Sequence, residues 1–168
     1  MKQLMKIPSL IIISAALISF FSCATPQKKN SGNYSYETEC MGVELDGSQT
    51  LKVWGTGKNR ADAVEQAKKN GVRDVLFKGI RNGKSECNAK PLIPEVNAQE
   101  KYEDYFNKFF TDGGSYAKFI SMKDEPFAPM VTKDRKGAGP EKVTFGVIVR
   151  VLRAELKSQM VTDKIIQQ

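Results

Sequence analysis

The chain has 168 residues, with 26 Lys and Arg against 19 Asp and Glu, three cysteines and no histidine. That length suits one domain. The absence of histidine removes the commonest general base and triad partner and, with so few cysteines, argues against a zinc site, so no metal or cofactor is expected.

Residues 1–22 read as a targeting segment. Lys2 and Lys6 precede an apolar run at residues 7–21, interrupted only by Pro8, Ser9, Ser14 and Ser19. The run is short for a membrane span, which needs about 20 residues, and suits the core of a signal peptide. Cys23 follows it closely. Phe20-Phe21-Ser22-Cys23 resembles the lipobox of bacterial lipoproteins, in which the cysteine thiol is acylated and becomes the mature N-terminus. Ordinary secretion with cleavage after Ala24, and an uncleaved anchor, are the competing readings. Residues 23–39 are polar, rich in Lys, Asn and Ser, and aperiodic, as expected of a flexible tether. Ala24 rather than Asp follows the cysteine, which resembles the sorting pattern for the outer membrane, with the domain facing the periplasm. Removing the two lysines of the targeting segment lowers the formal net charge from +7 to +5. Outside the cytoplasm such an excess points away from nucleic acid and towards a solvated surface, anionic headgroups or wall polymers.

Residues 40–168 form the expected domain. Cys40 and Cys87 are read first as a disulfide, because the chain is exported. Met41, Val43 and Leu45 alternate before Asp46-Gly47-Ser48, and Leu51 and Val53 alternate after it, which predicts a hairpin. A three-residue loop would pair Val43 with Leu51 and Met41 with Val53, collecting the apolar side chains on one face, with Gly47 or Ser48 left-handed. Gly55 and Gly57 are expected to end that strand in a tight turn. Asn59 is a good N-cap, supported by Asp62. Ala63, Val64, Ala67, Gly71, Val72, Val75 and Leu76 then trace one helical stripe over residues 59–78, with Gly79 as the stop. Gly55-x-Gly57 lacks the third glycine of a dinucleotide fingerprint, since residue 60 is Arg, so a structural role is favoured.

Asn82-Gly83, Pro91 and Pro94 mark a loop. Asn97 and Glu100 repeat the capping-box spacing. Tyr102, Tyr105, Phe106, Phe109 and Phe110 follow at helical intervals, predicting one helix over 97–112. Its aromatic stripe is read as core, the sharper alternative being a sugar- or partner-binding face. Residues 115–122 read as a strand. Ser115-x-x-Lys118 on a strand, without its Ser-Asp-Asn and Lys-Thr-Gly partners, does not make a penicillin-binding site. Residues 123–142 form a long Pro- and Gly-rich connection in which Phe127, Met130 and Val131 are either tucked onto the domain or offered to a partner. Val143, Phe145, Val147, Val149 and Val151 alternate strictly, and Ile148 and Leu152 on the other face suggest a central strand. Leu156, Met160 and Val161 predict a last helix.

The order of these elements resembles the Lpp-twenty family of small outer-membrane lipoproteins and the related N-terminal domain of flagellar assembly protein T. Val53-Trp54-Gly55-x-Gly57, Ala63, Ala67, Gly71 and residues 145–151 carry the resemblance. It implies an envelope accessory protein built on a small antiparallel sheet, with no catalytic residues to carry over. The expected fold is therefore α+β, a small antiparallel sheet with helices packed on one face. The expected function is a lipid-anchored binding or assembly module held to the membrane through Cys23, with a protein partner in the envelope. The alternative is a wall or glycan hydrolase using carboxylates, for which Glu37 and Glu39 are the candidates; Glu103 and Asp104 diverge on a helix.

Overall fold

In the computed structural model, which describes residues 36–123, 132–134 and 142–167, the chain folds as α+β. Strands β1 (Glu39–Val43) and β2 (Gln49–Gly57) lead into helix α1 (Arg60–Phe77). Strand β3 (Asn82–Gly83) follows, then helices α2 (Ala98–Lys101) and α3 (Glu103–Phe109). A 3₁₀ helix (Ser115–Phe119) runs into strand β4 (Ile120–Met122). Strands β5 (Thr132–Asp134) and β6 (Lys142–Val151) precede helix α4 (Arg153–Thr162).

The six strands form one sheet in the order β3-β1-β2-β6-β4, with β5 also paired to β6. Only β1 with β3 is parallel. The longest strand, β6, is central, as buried Ile148 on its other face suggests. It pairs along its length with β2 on one edge and with β4 and β5 on the other. Leu51, Val53, Val149 and Val151 are fully buried on the face that α1 covers with Ala67, Val72, Val75 and Leu76. Each such Val or Leu contributes about 1.5–3 kcal/mol on burial. Phe106, Phe109 and Phe110 from α3, Tyr116 and Phe119 from the 3₁₀ helix, and Leu156 and Met160 from α4 complete this core.

Helix α1 has the ends its sequence predicts. The Asn59 side chain accepts a hydrogen bond from the Asp62 amide at 3.0 Å. Past Lys78, Gly79 adopts φ +78° and its amide returns to the Asp74 carbonyl at 2.7 Å.

Four expectations are corrected. Gly55 and Gly57 do not turn the chain: β2 runs through both, pairing them with Phe145 and Val143. They are there because α1 lies against the strand. A Cβ on Gly55 would stand 2.1 Å from the Ala63 carbonyl oxygen and 2.3 Å from the Ala67 nitrogen, and one on Gly57 would stand 2.5 Å from the Ala63 nitrogen. Glycine in this strand marks close backbone approach, not a breaker.

The hairpin register also differs. Cys40 opposes Leu51, Gly42 opposes Thr50 and Val43 opposes Gln49, with an irregularity between Cys40 and Gly42. Cys40 takes the buried position because it bonds Cys87, which leaves Met41 and Val43 partly exposed. The connection is longer than three residues: the Glu44 amide reaches the Ser48 carbonyl, Asp46 accepts from the Ser48 amide, and Gly47 is left-handed as expected.

The single helix over 97–112 is two short ones, broken where Tyr102 adopts φ −118° and ψ +37°, and Asn97 makes no side-chain cap. Finally, most of residues 115–122 form the 3₁₀ helix, and only Ile120–Met122 is strand. The Ser115 and Lys118 pair therefore sits on a 3₁₀ helix. Leu152 lies just past β6, where its amide donates to the Phe119 carbonyl.

Candidate functional site

A groove of about 480 Å³ with mixed chemistry lies between α1 and the α2–α3 pair. Its floor is aromatic. Phe77 on α1 meets Phe106 on α3 edge-on, with ring centroids 5.0 Å apart. One turn back along α1 and one turn on past α3, the Arg73 guanidinium lies over the Phe110 ring at 5.1 Å. The two walls thus run antiparallel, with Arg73 and Phe110 at one end and Phe77 and Phe106 beyond them. The rim past Phe106 is acidic, with Glu100 on α2 and Glu103 on α3. Gln99 and Asn107 supply two primary amides to the same wall.

Arg73 is exposed, yet its place over Phe110 restrains it, a cation–π contact worth about 0.5–1 kcal/mol at such a site. Among the described residues, Arg73, Glu100 and Glu103 form no ion pair. Nearby charges are committed instead: Lys101 bonds Glu95 at 3.0 Å, and Lys69 bonds Asp112 at 2.5 Å. The groove therefore presents an exposed basic end and an exposed acidic end, with half-buried Phe77 and the edges of the largely buried Phe106 and Phe110 rings between them.

A second hollow of about 290 Å³ lies beside α4. There the Tyr105 hydroxyl donates to Asp163 at 2.5 Å, and the Gln159 amide donates to the same carboxylate at 2.8 Å. Burial, then this hydrogen bond, pushes the Tyr105 hydroxyl well above its ordinary range, so it stays protonated and serves as a donor. Ser115 and Lys118 line the same hollow, exposed. The Asp163 carboxylate is occupied by its two donors, which makes this a packed polar corner between α3 and α4.

The sequence-predicted residues fall as follows. Cys40 and Cys87 form the disulfide, with Cα atoms 5.9 Å apart across a separation of 47 residues. Cys23 and the trio Phe127, Met130 and Val131 lie outside the described residues. Glu37 and Glu39 do not converge on a cleft: Glu37 accepts from the Asn82 side chain, and Glu39 pairs with Lys52 at 3.3 Å. The aromatic stripe is largely core, with Phe106, Phe109 and Phe110 buried, as its regular spacing implies. Its Phe106 and Phe110 nevertheless floor the groove. The rim residues Arg73, Gln99, Glu100, Glu103 and Asn107 were not singled out as a site. On sequence each is an ordinary polar residue of a helix surface, and the antiparallel pairing that brings them together has no local signal.

Among the described residues no group of three or more His, Cys, Asp or Glu is placed to hold a metal ion, and no helix is long and apolar enough to cross a membrane. No family model, curated protein or solved structure matches the chain.

Proposed function

We propose that the chain is a lipid-anchored accessory protein of the cell envelope, held at the outer membrane through Cys23 and facing the periplasm, whose domain binds a protein partner without catalysing a reaction. The observation that carries the binding reading is the groove, where an aromatic floor lies between oppositely charged ends that no ion pair among the described residues neutralises. The Cys40–Cys87 bond supports an oxidising compartment outside the cytoplasm. The Lys2, Lys6, apolar run and Cys23 order supports lipid anchoring, and the polar, aperiodic composition after Cys23 supports a tether, although of its expected span residues 36–39 belong to the folded domain, with Thr38 buried and Glu39 in β1. The likeness to the Lpp-twenty lipoproteins supports the same assignment. Nothing in the placement of Glu37 and Glu39 favours the hydrolase alternative.

Two measurements test this reading. Cys23→Ser is expected to move the protein from the membrane fraction to the soluble one, because each buried methylene of an acyl chain contributes about 0.8 kcal/mol. Unchanged membrane association ends the lipid-anchor assignment. A photocrosslinking side chain at Asn107, on the groove wall, is expected to capture a defined protein partner in intact envelopes. If the same probe at exposed Lys157 on α4 captures that partner equally, the groove is not where it binds.

A further inference from the structure

The groove has a direction, and the direction selects a ligand. Resting on the binding reading above, we propose that it takes an extended peptide segment with a basic and an acidic side chain four residues apart and an apolar side chain midway. Glu100 and Glu103 would receive the cation, Phe77 and Phe106 the apolar group, and Arg73 the carboxylate.

The spacing follows from the helix that forms one wall. Glu103 and Phe110 are seven residues apart along α3 and its cap, which at 1.5 Å per residue puts the acidic end roughly 10 Å from the ring that carries Arg73. In an extended peptide alternate side chains point the same way, and four residues span about 13 Å. The flexible stems of Arg73 and of a ligand lysine absorb the difference. The midway residue then sits over the Phe77–Phe106 pair.

The remaining groups fit a peptide backbone. Gln99 and Asn107 each offer a donor and an acceptor, the pairing that a peptide N–H and C=O demand. A neutral polyol could use those amides, but it would leave the charges at both ends unmatched. A wholly acidic ligand would meet Glu100 and Glu103, and a wholly basic one would meet Arg73. Complementary charge at both ends sets selectivity more than raw affinity.

The test uses the full chain in detergent micelles and three pools of acetylated, amidated peptides: Lys-x-Leu-x-Asp, Lys-x-Leu-x-Lys and Asp-x-Leu-x-Asp, with x random. The mixed-charge pool is expected to bind best, and replacing its Leu by Ser should weaken it. Arg73→Ala should lower its affinity about tenfold, the loss of a charge-assisted contact. Arg73→Glu should move the preference to the Lys-x-Leu-x-Lys pool, a change that mere loss of packing cannot produce. Equal binding of the three pools, or an unmoved preference in Arg73→Glu, overturns the peptide assignment. Partner capture at Asn107 alongside equal pools overturns it too, while leaving the binding reading standing.

Discussion

The two faces of the sheet are held by different physics. Towards the helices, Leu51, Val53 and Gly55 meet α1 at contact distance, and Ala63 and Ala67 have no exposed surface. On the other face, polar pairs bridge the strands. Lys52 reaches Glu39 at 3.3 Å, Thr56 meets Thr144 at 2.9 Å, and Thr50 donates to Glu44, which also pairs with Lys123 at 3.0 Å. Arg150 donates to Ser48 at 2.6 Å and pairs with Asp46. Trp54 sits amid this ladder, with the Tyr36 ring centroid 5.3 Å away. The first face is fixed by shape, and at Gly55 it has no room for an added atom. The second is assembled from partly exposed ion pairs and hydrogen bonds, each worth little alone. Substitutions on adjacent residues of one strand that face opposite sides should therefore differ greatly in cost.

The sharpest test sets Gly55 against its neighbour Thr56. Gly55→Val places a Cβ and two methyls inside the backbone of α1, where a Cβ alone would already stand 2.1 Å from the Ala63 carbonyl oxygen. The expected result is no cooperative unfolding transition and no folded domain, because overpacking against backbone cannot relax by rotamer change. Thr56→Ala, losing one part-buried hydroxyl pair, should cost about 1 kcal/mol in urea unfolding. Comparable losses at the two sites would end the distinction between the faces.

The next effect in size comes from the Cys40–Cys87 bond, which ties the helix side of β1 to the loop after α1. Cys87→Ser is expected to remove about 4 kcal/mol by the chain-entropy estimate for a 47-residue separation. A reducing agent should lower the urea midpoint of the wild type and leave that of the variant unchanged. A wild type indifferent to reduction would show that the staple contributes nothing to this face.

At the entry to α1, Asn59→Ala removes the acceptor for the Asp62 amide and should cost about 1 kcal/mol, with Asn59→Ser recovering most of it. Denaturant midpoints of the two variants decide this, and equal losses would mean that the cap hydrogen bond is not what Asn59 supplies.

The helix face was readable from the chain because its signals are local. Val143 to Val151 alternate, the Ala63, Ala67 and Gly71 stripe repeats at helical spacing, and Asn59 and Gly79 bound the helix that follows. Gly55 and Gly57 were visible as exceptions but misread as a turn, since a glycine that relieves contact and one that bends the chain look alike until the packing partner is known. The hairpin register was missed because a disulfide outweighed the apolar pattern of Met41 and Val43. The groove was not visible at all. Arg73 and Phe110 are distant in sequence and meet only through the antiparallel pairing of α1 with α3.

The smallest expected effect sharpens the account of the polar face through its pH dependence. The Ser48 hydroxyl and then the Ser48 amide, with Arg150 beyond them, hold the Asp46 carboxyl below its ordinary value. The hydrogen bond from Lys123, then that from Thr50, does the same for Glu44. Both groups bind protons less readily in the folded than in the unfolded chain. Their contribution is thus fully present above the ordinary carboxylate range, near pH 4, and is lost as pH falls through the depressed folded values. Asp46→Asn combined with Glu44→Gln should therefore flatten part of the fall in the urea midpoint between about pH 5 and pH 3, with little change near pH 7. Raising the salt should shrink the difference between wild type and variant, since these groups are open to solvent. Asp112, held down by Lys69 on the helix side, remains in both proteins and supplies the residual slope. If the double variant loses stability with acid as steeply as the wild type, the ladder is ornamental to folding, and hydrogen-bonded strand pairing alone holds the outer face.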